Sequence, residues 1–195
     1  MKYLLFVTLL LIPSLSRAET LGVYVDEFAD LCWTQDVPGP RTLYIMCRNS
    51  SGVTGARFRI EYSSGFTGTL LSSSSPWLNV AGDPLTGATI TFDNTCQFGS
   101  FTVMVLNFMF VGGSPNCSWI RTANHPLSVA TGPEVSDCAF QSVAAYWEGT
   151  HVSNTAPTDC PNDIDYEEHT HHCRPYYPTV AAEGATWGAV KALYR

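Results

Sequence analysis

Basic side chains are scarce in this sequence: ten Lys and Arg stand against 17 Asp and Glu, and the ten are scattered along the chain. Binding to nucleic acid rests on cations that displace counterions from phosphates, so no nucleic-acid partner is expected. Long apolar runs are lacking too. A membrane-spanning helix wants about 20 apolar residues, and the most apolar stretch beyond the N-terminus, Phe101 to Val111, is interrupted by Thr102 and Asn107. The chain also has no Gly-x-Ser-x-Gly, Ser-x-x-Lys or His-Glu-x-x-His, and no Cys-x-x-Cys pair. The local signatures of serine and zinc hydrolases and of zinc fingers are therefore absent. Triples such as Ser118, His125 and Asp137 occur by chance in any Ser-rich exported domain, and we assign no catalytic residue.

What the chain does have begins at its first residues. Lys2 precedes an apolar run from Tyr3 to Leu15, and Ser16-Arg17-Ala18 follows it. That order of basic residue, apolar run and small residues is the pattern of a cleaved signal peptide, here residues 1–18, with the cut expected between Ala18 and Glu19. The mature part has 177 residues, enough for one domain with a real core. With Lys2 and Arg17 removed, eight basic residues remain against 17 acidic ones, a net charge of −9. All seven cysteines, Cys32, Cys47, Cys96, Cys117, Cys138, Cys160 and Cys173, fall in this part. A secreted, periplasmic or cell-envelope location lets disulfides persist. Three bridges and one spare thiol is the simplest account, with many connectivities open. Pairing of near neighbours predicts Cys32 with Cys47, Cys117 with Cys138 and Cys160 with Cys173.

The clearest periodic signal is Gly55 to Tyr62, where Ala56, Phe58, Ile60 and Tyr62 alternate with Arg57, Arg59 and Glu61. Period two places the apolar set on one face of a strand with water on the other. This half-buried pattern belongs to antiparallel sheets rather than buried parallel ones. Leu21 to Asp26, Thr42 to Arg48, Ala88 to Phe92 and Phe101 to Val111 read as further strands. Gly39-Pro40, Ser51-Gly52, Ser64-Gly65, Gly82-Asp83-Pro84 and Gly112-Gly113-Ser114-Pro115 read as turns between them. Ser72 to Ser75 reads as a solvated loop. Phe140 to Val152 fits a strand pair or a short helix; its alanines allow helix, while Val143, Tyr146, Trp147 and Val152 favour strand.

From Thr155 the composition changes. Cys160 and Cys173 frame a polar run, Asp163 to His172, from which no core can be built. If this run is extended, His169, His171 and Cys173 share one face. With Cys160 they would complete a tetrahedral zinc site. The competing reading is a Cys160–Cys173 disulfide closing an acidic, His-bearing loop, and the oxidising compartment favours it. A calcium reading of Asp163, Asp165, Glu167 and Glu168 lacks the Gly and terminal Glu of an EF-hand loop. Farther on, Trp187, Val190 and Tyr194 recur at helical spacing and predict a short terminal helix.

The closing residues Trp187-Gly188-Ala189-Val190-Lys191-Ala192-Leu193-Tyr194-Arg195 resemble the end of a group of uncharacterised secreted bacterial proteins. More loosely, Val53-Thr54-Gly55-Ala56-Arg57-Phe58-Arg59-Ile60 resembles the early strand of cohesin-like and other immunoglobulin-like sandwiches. That second resemblance implies a sandwich of up to nine strands and no catalytic residues.

The expectation is an all-β protein: an antiparallel β-sandwich, immunoglobulin-like or cohesin-like, over residues 19–154, with a Pro/Cys/His-rich loop and tail over 155–195. As a function we expect an exported structural or interaction module without catalysis, whose partner is a protein or glycan at the cell surface. The tryptophans Trp33, Trp77, Trp119, Trp147 and Trp187 make a carbohydrate-binding module the alternative, and a zinc-binding secreted protein comes after it. No cofactor is expected unless the zinc site forms.

Overall fold

The computed structural model describes residues 19–153, apart from 94 and 129. The expected signal peptide, cysteine-flanked loop and terminal helix, and the residues that carry the tail resemblance, all lie outside the described residues.

Eleven strands make up the described chain: β1 (Thr20–Tyr24), β2 (Trp33–Gln35), β3 (Gly39–Tyr62), β4 (Thr69–Ser74), β5 (Asn79–Asp83), β6 (Gly87–Thr91), β7 (Gln97–Phe110), β8 (Ser118–Ala123), β9 (Glu134–Asp137), β10 (Ser142–Ala144) and β11 (Tyr146–Ser153). The fold is an all-β sandwich, as the alternation in Gly55 to Tyr62 predicts. Ala56, Phe58 and Ile60 are buried in the main core with Leu43, Ile45, Ile90, Leu106, Phe108 and Ile120, while Arg57 and Arg59 face outward. Tyr62 departs from its phase. It ends β3 at 44% exposure and lays its ring 5.5 Å from Phe66, because the strand runs past the core there.

β3 organises everything else. Its N-terminal half lies between β1 and β7, and its C-terminal half pairs with β6, β9 and β8. The Ser51-Gly52 turn expected from sequence is not a reversal. It falls where the register against β7 shifts between Cys47 and Val53, with Asn49 at φ 55° and Gly52 at φ 132°. A bulge uses the same positive-φ residues as a turn, yet it bends a strand instead of reversing it. One 24-residue strand therefore crosses between layers where two short ones were expected. β11 bridges the layers as well, pairing with β1 through Tyr146 to Glu148 and with β8 and β2 beyond. Its pairings with β1 and β2 are parallel, and every other pairing recorded is antiparallel.

Gly39-Pro40 opens β3 rather than making a turn. Most of the serine tract belongs to β4 instead of a loop, where Ser72 accepts a hydrogen bond from Asn107 Nδ2 at 3.1 Å. Its side chains remain solvated, as expected; pairing along β7 supplies the strand that local sequence does not. The Phe140 to Val152 stretch resolves in favour of strands, as β10 and β11.

Two of the three near-neighbour disulfides are corrected. Cys32 packs with Tyr24, Ala29 and Met46, whereas Cys47 points into the main core from the opposite face of β3, so the two cannot meet. Cys47 is a free thiol. Cys138 bonds to Cys96 rather than Cys117. Val53 pairs with Gln97 on one side and Asp137 on the other, which brings their neighbours Cys96 and Cys138 together. Cys117 is also disulfide-bonded. The third expected pair, Cys160 with Cys173, lies outside the described residues.

Burial pushes the Cys47 thiol up to about 12, with the nearby Glu19 charge adding to it. Since the thiolate is the reactive form, Cys47 should resist iodoacetamide in the folded protein and react once it is denatured. Mass analysis of both samples checks this, and rapid native labelling at Cys47 contradicts the burial.

Candidate functional site

The zinc candidates Cys160, His169, His171 and Cys173 lie outside the described residues, and no group of three or more potential metal ligands occurs among the described ones. Ser118, His125 and Asp137 are each engaged locally. The Ser118 hydroxyl donates to the Pro115 carbonyl, His125 Nδ1 accepts from the Leu127 N–H, and Asp137 Oδ1 accepts from the Ala139 and Gln141 N–H groups.

The tryptophans within the described residues do not form a free aromatic platform. Trp77 packs against Phe92 and Phe101 and donates to the Thr102 carbonyl at 3.0 Å. Trp33 donates to Ser153 Oγ at 3.3 Å. Trp119 and Trp147 both hold the Arg121 guanidinium, 4.2 and 4.5 Å from their ring centres. Arg121 also reaches Glu61 at 3.5 Å, and Glu61 pairs with Arg59. An arginine held by two indoles and a carboxylate reads as a structural clamp on this sheet face.

A concave surface of about 320 Å3 opens elsewhere, across β6, β3 and β9. Gly55 lies at its centre, paired with Thr91 on one side and Ser136 on the other. Ala56, Ile90 and Val135 turn into the core, so the alternation turns Arg57, Thr89, Thr91, Glu134 and Ser136 toward the cleft. Gly55 carries no side chain because a Cβ there would come within 2.7 Å of the Ile90 carbonyl oxygen. Arg57 and Glu134 are register partners and form a cross-strand ion pair at 3.9 Å, with Glu134 buried and Arg57 half exposed.

At the rim stands Phe140, 65% exposed and at φ 60°. A bulky residue in the left-handed region is costly unless its surroundings hold it there. Here the holding groups are identifiable. The Phe140 N–H donates to the Asp137 carbonyl at 2.9 Å, and the Asp137 carboxylate caps the turn from within. The Cys96–Cys138 disulfide fixes the turn to the start of β7.

No protein-family model matches this chain, and no curated protein matches it either. Solved structures do resemble its sandwich. One is a non-cellulosomal cohesin from the hyperthermophilic archaeon Archaeoglobus fulgidus, 10% identical, covering 69% of this chain and 91% of that one at a TM-score of 0.46. Another is a type II cohesin domain from the cellulosome of Acetivibrio cellulolyticus, 14% identical, covering 69% and 90% at 0.45. A third is the cohesin module of a Clostridium perfringens family 33 glycoside hydrolase, 11% identical, covering 70% and 97% at 0.45. At these scores no family, partner or residue role passes to this chain.

Sequence reasoning missed the cleft and its turn. The pairing that builds the cleft is long-range, with β9 some 80 residues after its partners on β3. One local signal was available: Asp137 opens a five-residue stretch ending at Gln141, and an Asp at the first position of a turn accepts hydrogen bonds from the N–H groups that follow.

Proposed function

We propose that the mature chain is an exported, non-catalytic interaction module of the cell surface or envelope that holds a protein partner at the cleft beside Phe140. The observation that carries this reading is Phe140 itself. A large aromatic kept exposed in a costly backbone conformation, by a disulfide and a capping carboxylate, is kept there for contact. Around it, Thr89, Thr91, Ser136 and Ser142 offer hydroxyls and Arg57 a cation, the polar surround of an interface anchor. The reading requires no metal or other cofactor.

The same combination of one ring and several hydroxyls suits a sugar, so a glycan is the second reading. The test puts a photo-crosslinking residue in place of Phe140 in the protein exported by its own cells. Leu127, 80% exposed, serves as the control position. We expect a discrete protein adduct from position 140 and none from 127, with Phe140→Ala abolishing crosslinking from a probe at Ser142. Equal adducts from 140 and 127 would overturn the site. Binding on a glycan array that is lost in Phe140→Ala would keep the site and replace the protein partner by a sugar.

A further inference from the structure

The chain carries 17 Asp and Glu against ten Lys and Arg, so two copies of it repel each other through their like net charge. Two segments stand apart from that charge. From Tyr62 to Gly82 and from Thr95 to Ile120 the sequence holds no Asp, Glu, Lys, Arg or His. The fold sets these segments side by side, because β4 lies in the first and β7 in the second, and the two strands pair from Thr69 with Met109 to Ser74 with Val105. β4 has no second neighbour among the described residues. Its outward N–H and C=O groups form an edge open to another strand.

Edge strands are ordinarily guarded by charge, proline or brevity. β2 and β10 have three residues each, and β5 ends on Gly82 at φ 86° and Asp83. β4 has six residues with neither a charge nor a proline. Its one irregularity is the register shift at Leu71, a side chain left 58% exposed. Past it a line of hydrogen bonds runs across the sheet to the edge: Thr42 Oγ1 donates to Asn107 Oδ1 at 3.2 Å, and Asn107 Nδ2 donates to Ser72 Oγ at 3.1 Å. The Ser72 O–H, at the end of this line, is left to donate outward.

We infer that β4 is the edge through which two copies of this chain pair, antiparallel about a twofold axis. Two acidic molecules meet there without setting carboxylates against carboxylates, and each supplies the extended strand that the other's outward backbone groups need. A twofold pairing consumes the β4 edge of both copies, so assembly closes at a dimer. No residue of β4 or β7 lines the cleft beside Phe140, and the dimer presents two such clefts. The inference does not depend on what that cleft binds.

The experiment is sedimentation equilibrium of the exported full-length chain together with hydrogen exchange at the same concentrations. A junction of one strand pair is small and associates weakly, so the range extends into the millimolar. We expect a monomer–dimer equilibrium in which exchange at the β4 amides slows as the dimer fills, while exchange in β5 and β10 stays the same. Leu71→Lys sets like charges across the twofold axis and should weaken dimerisation by about tenfold or more. Leu127→Lys, at a position 80% exposed and outside β4 and β7, should leave it unchanged. A chain that stays monomeric, or that assembles beyond two copies, would overturn the inference. So would a dimer whose protection falls on a strand other than β4, or one that a folded Leu71→Lys variant forms as tightly as the natural chain. The exchange measurement uses the natural chain and decides the case even where a variant fails to fold.

Discussion

Phe58→Ala should lower the free energy of unfolding by about 3–5 kcal/mol, the range for emptying a buried phenylalanine site. The side chain has no solvent exposure and lies in the core between both layers. Because β3 pairs there with β6 and β9, the backbone is held on both sides and cannot collapse freely into the void. Arg57→Ala, one residue earlier, removes a half-exposed partner in an ion pair at 3.9 Å. Such pairs contribute at most about 1 kcal/mol. Urea unfolding of the two variants, with the slope unchanged, separates these outcomes. Equal losses at both positions would mean that Phe58 and Arg57 do not face opposite ways.

How much of the molecule could be read beforehand follows from which interactions are local. Alternation needs only neighbours, so Ala56, Phe58 and Ile60 announce both the strand and its buried face. A bulge and a turn draw on the same residues, and the local sequence at Asn49 to Gly52 does not distinguish them. The decision comes from β7, which stays paired with β3 on both sides of the irregularity. Disulfide pairing is likewise decided by topology: Cys96 and Cys138 are 42 residues apart and meet because Val53 pairs with the neighbours of both. The cleft depends on that long-range pairing, which is why composition pointed to tryptophans while the structure presents Phe140. Glu148 was unreadable for the same reason, since nothing beside it in the sequence marks a buried carboxyl.

The contribution of Glu148 to stability should fall by on the order of 5 kcal/mol as the pH rises from about 4.5 to about 8. Glu148 lies opposite Gly22 on β1, where a Cβ would sit 2.6 Å from the glutamate Cβ, so only glycine leaves room for it. Its side chain is 3% exposed, and Oε1 has no hydrogen-bond partner among the described residues. Burial pushes its carboxyl up to about 8 from an ordinary 4.5. The Arg48 guanidinium at 3.5 Å favours the charged form, but one contact of that length does not replace the water that both carboxylate oxygens lose. The sign follows from proton counting. Below pH 4.5 the group is protonated in both states and costs nothing. Between 4.5 and 8 the unfolded chain releases the proton while the folded one keeps it, so unfolding becomes steadily easier; above 8 both are ionised and the slope vanishes. Glu148→Gln has nothing to titrate and keeps a similar shape in the same space. The difference in unfolding free energy between this variant and the natural chain should therefore grow in the variant's favour across the window. Chemical unfolding at pH 5, 6, 7 and 8 measures it. A difference that stays flat, or that moves toward the natural chain as pH rises, would show that Glu148 is already ionised in the folded protein and that Arg48 outweighs burial.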